Sequence, residues 1–144
     1  MSGNPITIRS LGPEDAFVLD RVRSGVFDDT LDPARVWAFL ATRVNEIVVA
    51  LDQGEVIGFA YGTMQLRPDK ATEFFVNDLG VHEEYRRRGV ARRLMQRLCD
   101  RAIDRGCAGV WVLTDIENGP GRGFYEATGG AETAGVLMFD WPLE

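Results

Sequence analysis

Few residues in this chain can hold a metal or make a disulfide. It has two cysteines, Cys99 and Cys107, and one histidine, His82, in 144 residues. The cysteines are not clustered with histidine, which argues against a disulfide framework and a zinc site, and one histidine rules out multi-histidine metal centres. No metal is expected. No stretch approaches the roughly 20 apolar residues of a membrane span, and Met1-Ser2-Gly3-Asn4-Pro5 lacks the charged and apolar regions of a signal peptide. No membrane partner and a cytoplasmic location are therefore expected. Basic charge is in deficit: 16 Lys and Arg face 22 Asp and Glu, a net charge of -6. That is the wrong sign for a polyanion binder, so no nucleic acid is expected. Repeats, linkers and low-complexity segments are also missing, and the length suits a single domain over residues 1–144.

The most informative stretch runs through residues 72–105. Its first part, Thr72-Glu73-Phe74-Phe75-Val76-Asn77-Asp78-Leu79-Gly80-Val81, is rich in aromatic and β-branched residues and reads as a buried strand. Its last part repeats Val90, Leu94, Leu98 and Ala102 at helical spacing. Arg92, Arg93, Arg97, Arg101 and Arg105 lie between them on the wet face, and Gly106 is a stop signal. Gly89 turns the loop between strand and helix. Unpaired N–H groups and the helix dipole make such a junction a site for an anion. There is no Gly-x-x-x-x-Gly-Lys-Ser/Thr and no Gly-x-Gly-x-x-Gly after a strand, so nucleoside triphosphate and dinucleotide loops are not indicated. A solvated basic helix face or a nucleic-acid patch is the plainer reading of the arginines. The acidic balance and the clean apolar stripe weigh against it.

The remaining chain alternates strand and helix signals. A short strand at residues 6–9 precedes a helix opened by Pro13, with Ala16, Val18, Leu19, Val22 and Val26 on its core face. A loop carrying Asp28, Asp29 and Asp32 leads to a second helix, with Asp32 as its cap and Pro33 in its first turn. Residues 45–51 and 56–66 read as a hairpin, residues 108–114 as a strand, and residues from Pro120 to Gly129 as a short helix. Residues 136–141 read as a closing strand. The order β-α-α-β-β-β-α-β-α-β predicts an α/β fold whose mixed, mostly antiparallel central sheet is flanked by helices.

Arg86-Arg87-Arg88-Gly89-Val90-Ala91 fits Arg/Gln-x-x-Gly-x-Gly/Ala, and Asp78-Leu79-Gly80-Val81 leads into it. Here the chain resembles the GCN5-related N-acetyltransferase (GNAT) superfamily. Asn118, Gly121, Tyr125 and Gly129 reproduce the spacing of a second family motif, Asn-x-x-Ala-x-x-x-Tyr followed by glycine, with Gly121 in place of alanine. The resemblance spans residues 6–141. It implies acetyl-coenzyme A as cofactor, bound at splayed strands. Its diphosphate would lie on Arg86, Arg87, Arg88, Gly89, Val90 and Ala91, and Asn118, Gly121 and Tyr125 would add contacts. Leu79 and Val81 would offer backbone N–H groups to the thioester oxygen and the pantetheine arm, with Gly80 in a bulge of the strand.

A narrower likeness lies in the second half. Glu73-Phe74-Phe75-Val76-Asn77-Asp78-Leu79, Thr114-Asp115, Pro120, Phe124-Tyr125 and Met138-Phe139-Asp140 are similar to the type I aminoglycoside 3-N-acetyltransferases, while residues 27–41 depart from them. The resemblance implies transfer of acetyl to a primary amine of a cationic small molecule, best matched by the 3-amino group of an aminoglycoside antibiotic. An ammonium of pKa about 10.4 is neutral in only about one molecule per thousand at pH 7, so a base or proton relay matters. Asp78 is the first candidate base and Glu73 the second, each equally able to bind the ammonium instead. Tyr125 is the candidate acid for the leaving thiolate. Asp28, Asp29, Asp78, Asp115, Glu117 and Asp140 are candidate carboxylates for a polycation. Rival readings are an N-acetyltransferase of a polyamine, amino acid or protein amine, and a non-catalytic acyl-CoA-binding domain. Assembly is left open, a homodimer included.

Overall fold

A computed structural model describes residues 5–143. The chain divides into two compact units, Met1–Leu113 and Thr114–Glu144. The first holds a five-stranded sheet in the order β1-β2-β3-β4-β5. β1 (Thr7–Leu11), β2 (Asn45–Asp52), β3 (Glu55–Gln65) and β4 (Glu73–Val81) pair successively antiparallel, and β5 (Val110–Val112) joins β4 in parallel. A parallel neighbour needs a crossover, which α2 (Val90–Asp104) supplies. The sheet is mixed and mostly antiparallel, as expected.

Each face of the sheet buries its own core. On one, Leu94, Leu98 and Ala102 of α2 pack on Val48, Ala50, Ile57, Ala60, Phe74 and Val76. Burying a leucine of this kind stabilises by about 1.5–3 kcal/mol. On the other, Val18, Leu19 and Leu40 cover Ile47, Val49, Val56 and Phe59. Leu40 comes from α1 (Pro33–Ala41), started by Asp32, whose carboxylate accepts the Arg35 N–H at 3.0 Å.

Three expectations are corrected. The helix opened by Pro13 is a 3₁₀ helix that stops at Asp20. Val22 instead bridges to Val56, the Arg23 N–H reaching the Val56 carbonyl at 3.0 Å and the Val56 N–H the Arg21 carbonyl at 2.8 Å. Sheet pairing thus diverts backbone groups that a longer helix would need. Arg101 and Arg105 are not free on the wet face of α2: both bind Glu46, which is only 5% exposed.

The third correction concerns residues 136–141, which form no strand. The second unit contains α3 (Gly119–Ala127), followed by described residues without regular structure. A strand needs a backbone ladder, and a single helix offers none. Val136, Leu137, Met138, Phe139 and Trp141 are accordingly exposed.

Candidate active site

One backbone irregularity organises the centre of the first unit. In the β3–β4 ladder Tyr61 faces Asp78 and Gly62 faces Val76, so Asn77 has no partner. This one-residue bulge reverses the facing of all that follows. Phe74 and Val76 point into the α2 core. Without the extra residue Asp78 would point there too; with it, Asp78 emerges beside Tyr61 on the opposite face. Gly62 lets the strands close at this point, because a Cβ there would stand 2.1 Å from the Phe75 carbonyl oxygen. The bulge was expected at Gly80 and lies three residues earlier. Gly80 answers a different demand: its Cβ would stand 2.9 Å from the Phe59 ring.

The face reached by Asp78 is hollow. A cavity of about 340 Å³ is lined by the carboxylate residues Asp28, Asp29, Asp32 and Asp78, by Phe27, Phe39 and Tyr61, and by Arg35 as its one cation. The rings of the aromatic wall pack on one another. Phe27 stacks on Phe59 at 4.1 Å, Phe59 on Tyr61 at 5.7 Å, and Phe39 meets Tyr61 edge-on at 5.5 Å. Burial pushes the Asp78 carboxyl above its ordinary value and nearby Asp28 adds to the rise. A bond from the Leu79 N–H to Oδ1, 2.9 Å long, offsets part of it. Burial, with Asp78 and Asp28, likewise raises the Tyr61 phenol, which stays protonated as a donor. Of these residues, the sequence had marked Asp28, Asp29 and Asp78 for a site. Asp32 reads from the sequence only as a helix cap, and Tyr61 does not stand out there. Its signal was faint: an aromatic alternating with Phe59 on a strand paired with that of Asp78.

Beyond the bulge the other edge of β4 pairs with no strand among the described residues. Its ladder to β5 covers only Phe74, Phe75 and Val76. The His82 N–H donates to the Ile57 carbonyl on the β3 side, so by the alternation of the strand Leu79 and Val81 present their backbone groups to the side that β5 leaves. Of the two N–H groups expected to serve the thioester oxygen and the pantetheine arm, that of Leu79 is engaged by Asp78 Oδ1 at 2.9 Å. Arg86 Nε takes the Val81 carbonyl at 3.1 Å.

The following loop ends at the N-terminus of α2. Arg87 (φ 64°) and Gly89 (φ 76°) are both left-handed, and Gly89 brings no capping side chain to the first turn that contains Val90 and Ala91. The α2 N-terminus therefore offers backbone N–H donors and the positive end of a 15-residue helix, a donor set that fits a diphosphate.

The other expected residues lie elsewhere. Glu73, at the far end of β4 from Asp78, pairs with Arg67 at 3.1 Å and does not line the cavity. Asp115, Glu117 and Asp140 belong to the second unit and are exposed, with Asp115 accepting the Glu117 N–H at 2.8 Å. In that unit the Asn118 side chain caps α3 on the Gly121 N–H at 3.1 Å. A Cβ at Gly121 would stand 2.3 Å from Asn118 Nδ2, so the glycine accommodates this cap. Tyr125 lies on α3, its ring 5.3 Å from that of Phe124. Among the described residues no cluster could hold a metal, and no helix is long and apolar enough to cross a membrane.

Residues 16–130 match the model of the acetyltransferase (GNAT) family. The chain belongs to this family. It is 32% identical over 127 residues to the N-alpha-acetyltransferase RimI of Mycobacterium tuberculosis, covering 87% of this chain and 78% of that one. In fold it is similar to an aminoglycoside acetyltransferase from an uncultured soil metagenomic sample, solved with trehalose. The TM-score is 0.84 at 20% identity, over 96% of this chain and 97% of that one; the same enzyme is also known in complex with sisomicin. It is similar too to the aminoglycoside N-acetyltransferase AAC(6')-Iy in complex with CoA, with a TM-score of 0.81 at 22% identity over 97% of each chain. As a GNAT acetyltransferase the chain uses acetyl-CoA.

Proposed function

We propose that this GNAT enzyme acetylates a primary amine of a cationic small molecule, an aminoglycoside being the class that fits best. The observation that carries the reading is the cavity in which Asp28, Asp29, Asp32 and Asp78 meet an aromatic wall. Several carboxylates around one hollow suit a ligand with several ammonium groups, and flat aromatic surfaces suit the faces of sugar rings. The fold shared with aminoglycoside acetyltransferases agrees.

Bound acetyl-CoA supplies the acyl group as a thioester. In this reading its diphosphate lies on the backbone of residues 86–91, and the β4 edge at Leu79 and Val81 faces the pantetheine arm. Asp78 belongs to both halves of the site. Its side chain lines the acceptor cavity, and the Leu79 N–H at that edge donates to it. A carboxylate so placed, with its pKa raised, is suited to hold the acceptor ammonium and to take its proton. Tyr61 can donate a hydrogen bond to an acceptor hydroxyl. Tyr125 is retained as the proposed proton donor to the leaving thiolate, on the strength of its motif.

The 3-amino expectation has no support from the comparisons, which include an AAC(6') enzyme. The 32% identity to RimI favours a second reading, acetylation of a protein N-terminus. Both are decided by incubating the protein with acetyl-CoA and a panel of amines while following free thiol. The panel holds an aminoglycoside, its 3-deamino and 6'-deamino analogues, a polyamine and a peptide with a free N-terminus. The aminoglycoside is expected to turn over, with kcat/KM falling as salt rises. The analogue that fails marks the acetylated nitrogen. Turnover of the polyamine alone would overturn the aminoglycoside class, and turnover of the peptide alone would overturn the reading.

A further inference from the structure

The three arginines of the loop are not equally available to a ligand. Arg86 is committed to the Val81 carbonyl. Arg88 lies over the ring of Tyr85 at 5.2 Å, and Arg23 also lies over that ring at 5.2 Å. Tyr85 is 7% exposed and ends the short 3₁₀ turn Glu83–Tyr85 that leads into the loop. Its hydroxyl donates to Asp52 Oδ2, at the end of β2 beside the turn into β3. The other oxygen, Asp52 Oδ1, is buried and finds no partner among the described residues. Arg23 closes the arrangement by pairing with Glu55 at 3.0 Å and Glu84 at 2.9 Å. A loop with two left-handed residues, Arg87 and Gly89, is thus tied to the β2–β3 hairpin directly through Tyr85 and Asp52 and, by way of Arg23, through Glu84 and Glu55.

We propose that Tyr85, anchored by Asp52, is a positioning residue for the cofactor: it fixes the backbone of residues 86–89 and the Arg88 guanidinium in the geometry that receives the acetyl-CoA diphosphate. The hydrogen bond to a carboxylate is charge-assisted and directional, and the ring presents a flat seat to Arg88. The inference rests on the reading that this loop holds the diphosphate. It is independent of which amine is acetylated.

Tyr85→Phe keeps the ring and removes only the hydroxyl. The variant is assayed with acetyl-CoA and with S-acetylpantetheine, a donor without the diphosphate. We expect KM for acetyl-CoA to rise about five- to twentyfold, equivalent to about 1–2 kcal/mol at 1.4 kcal/mol per decade. KM for S-acetylpantetheine, KM for the amine and kcat should stay within about twofold. Asp52→Ala should reproduce the effect, Asp52→Asn should recover much of it, and the double variant Tyr85→Phe, Asp52→Ala should be no worse than the worse single one. An unchanged KM for acetyl-CoA would overturn the role, even if the melting temperature falls. So would equal losses with both donors, which would mark a general structural defect. If the unmodified enzyme itself does not discriminate between the two donors, the diphosphate reading of the loop fails and the inference fails with it.

Discussion

At the scale of single residues, the site turns on where Asp78 points and what its burial does. With its folded pKa raised above the ordinary 3.8, the ionised carboxylate is disfavoured in the folded state. Its contribution to stability is most favourable below the ordinary pKa and is lost as pH rises through the folded one. With Asp78 as the proposed base, catalysis runs the other way, because a base must be ionised, so kcat/KM should rise with pH through that raised value. Asp78→Asn should abolish this acidic limb and lower kcat by about 10²–10⁴-fold, while leaving the protein equally or more stable at neutral pH. Rate profiles and melts across pH read both effects; a variant with raised KM but unchanged kcat would leave Asp78 an ammonium ligand only. Asp28, Asp29 and Asp78 were legible because carboxylates in a loop and at a strand end are visible as types. Tyr61 was not, because its membership depends on strand register and on an unpaired Asn77, which no residue type announces.

At the scale of elements, α2 shows the limit of reading a helix from its stripe. Val90, Leu94, Leu98 and Ala102 were correctly placed in the core by their spacing. The same spacing put Arg101 and Arg105 in water, because a helical pattern cannot know what a neighbouring strand brings. β2 brings Glu46, whose Oε1 and Oε2 take Arg101 Nε at 3.0 Å and Nη2 at 3.1 Å, with Arg105 also bound. Glu46→Gln should cost about 2 kcal/mol, below the roughly 3–5 for breaking a fully buried pair, because both guanidiniums keep some access to solvent. Arg97→Ala, on the same helix, should stay within about 0.5 kcal/mol. Denaturant midpoints test the contrast, and equal shifts would mean the pair is not an anchor. The residues 136–141 failed for a related reason: a continuous apolar run such as Val136-Leu137-Met138-Phe139 suits a buried strand, and the ladder must come from elsewhere.

At the scale of the whole molecule, the order of strands in the sheet is the order of strands in the chain. β2, β3 and β4 therefore meet through short antiparallel connections, whereas β1 is joined to β2 only after the 3₁₀ helix and α1, and β5 must wait for α2 to carry the chain across. Loop-closure entropy makes the near pairings fast and the crossover slow. The refolding barrier should accordingly be crossed with β2, β3 and β4 assembled and β5 still adrift. Val76→Ala would then slow refolding about in proportion to its loss of stability, while Val110→Ala would leave the refolding rate almost untouched and hasten unfolding. Stopped-flow chevrons of the two variants distinguish this order from simultaneous assembly, in which both would slow refolding alike. The edge of β4 at Phe74, Phe75 and Val76, just before the bulge, is then among the last parts of the sheet to acquire its neighbour, and among the first to lose it.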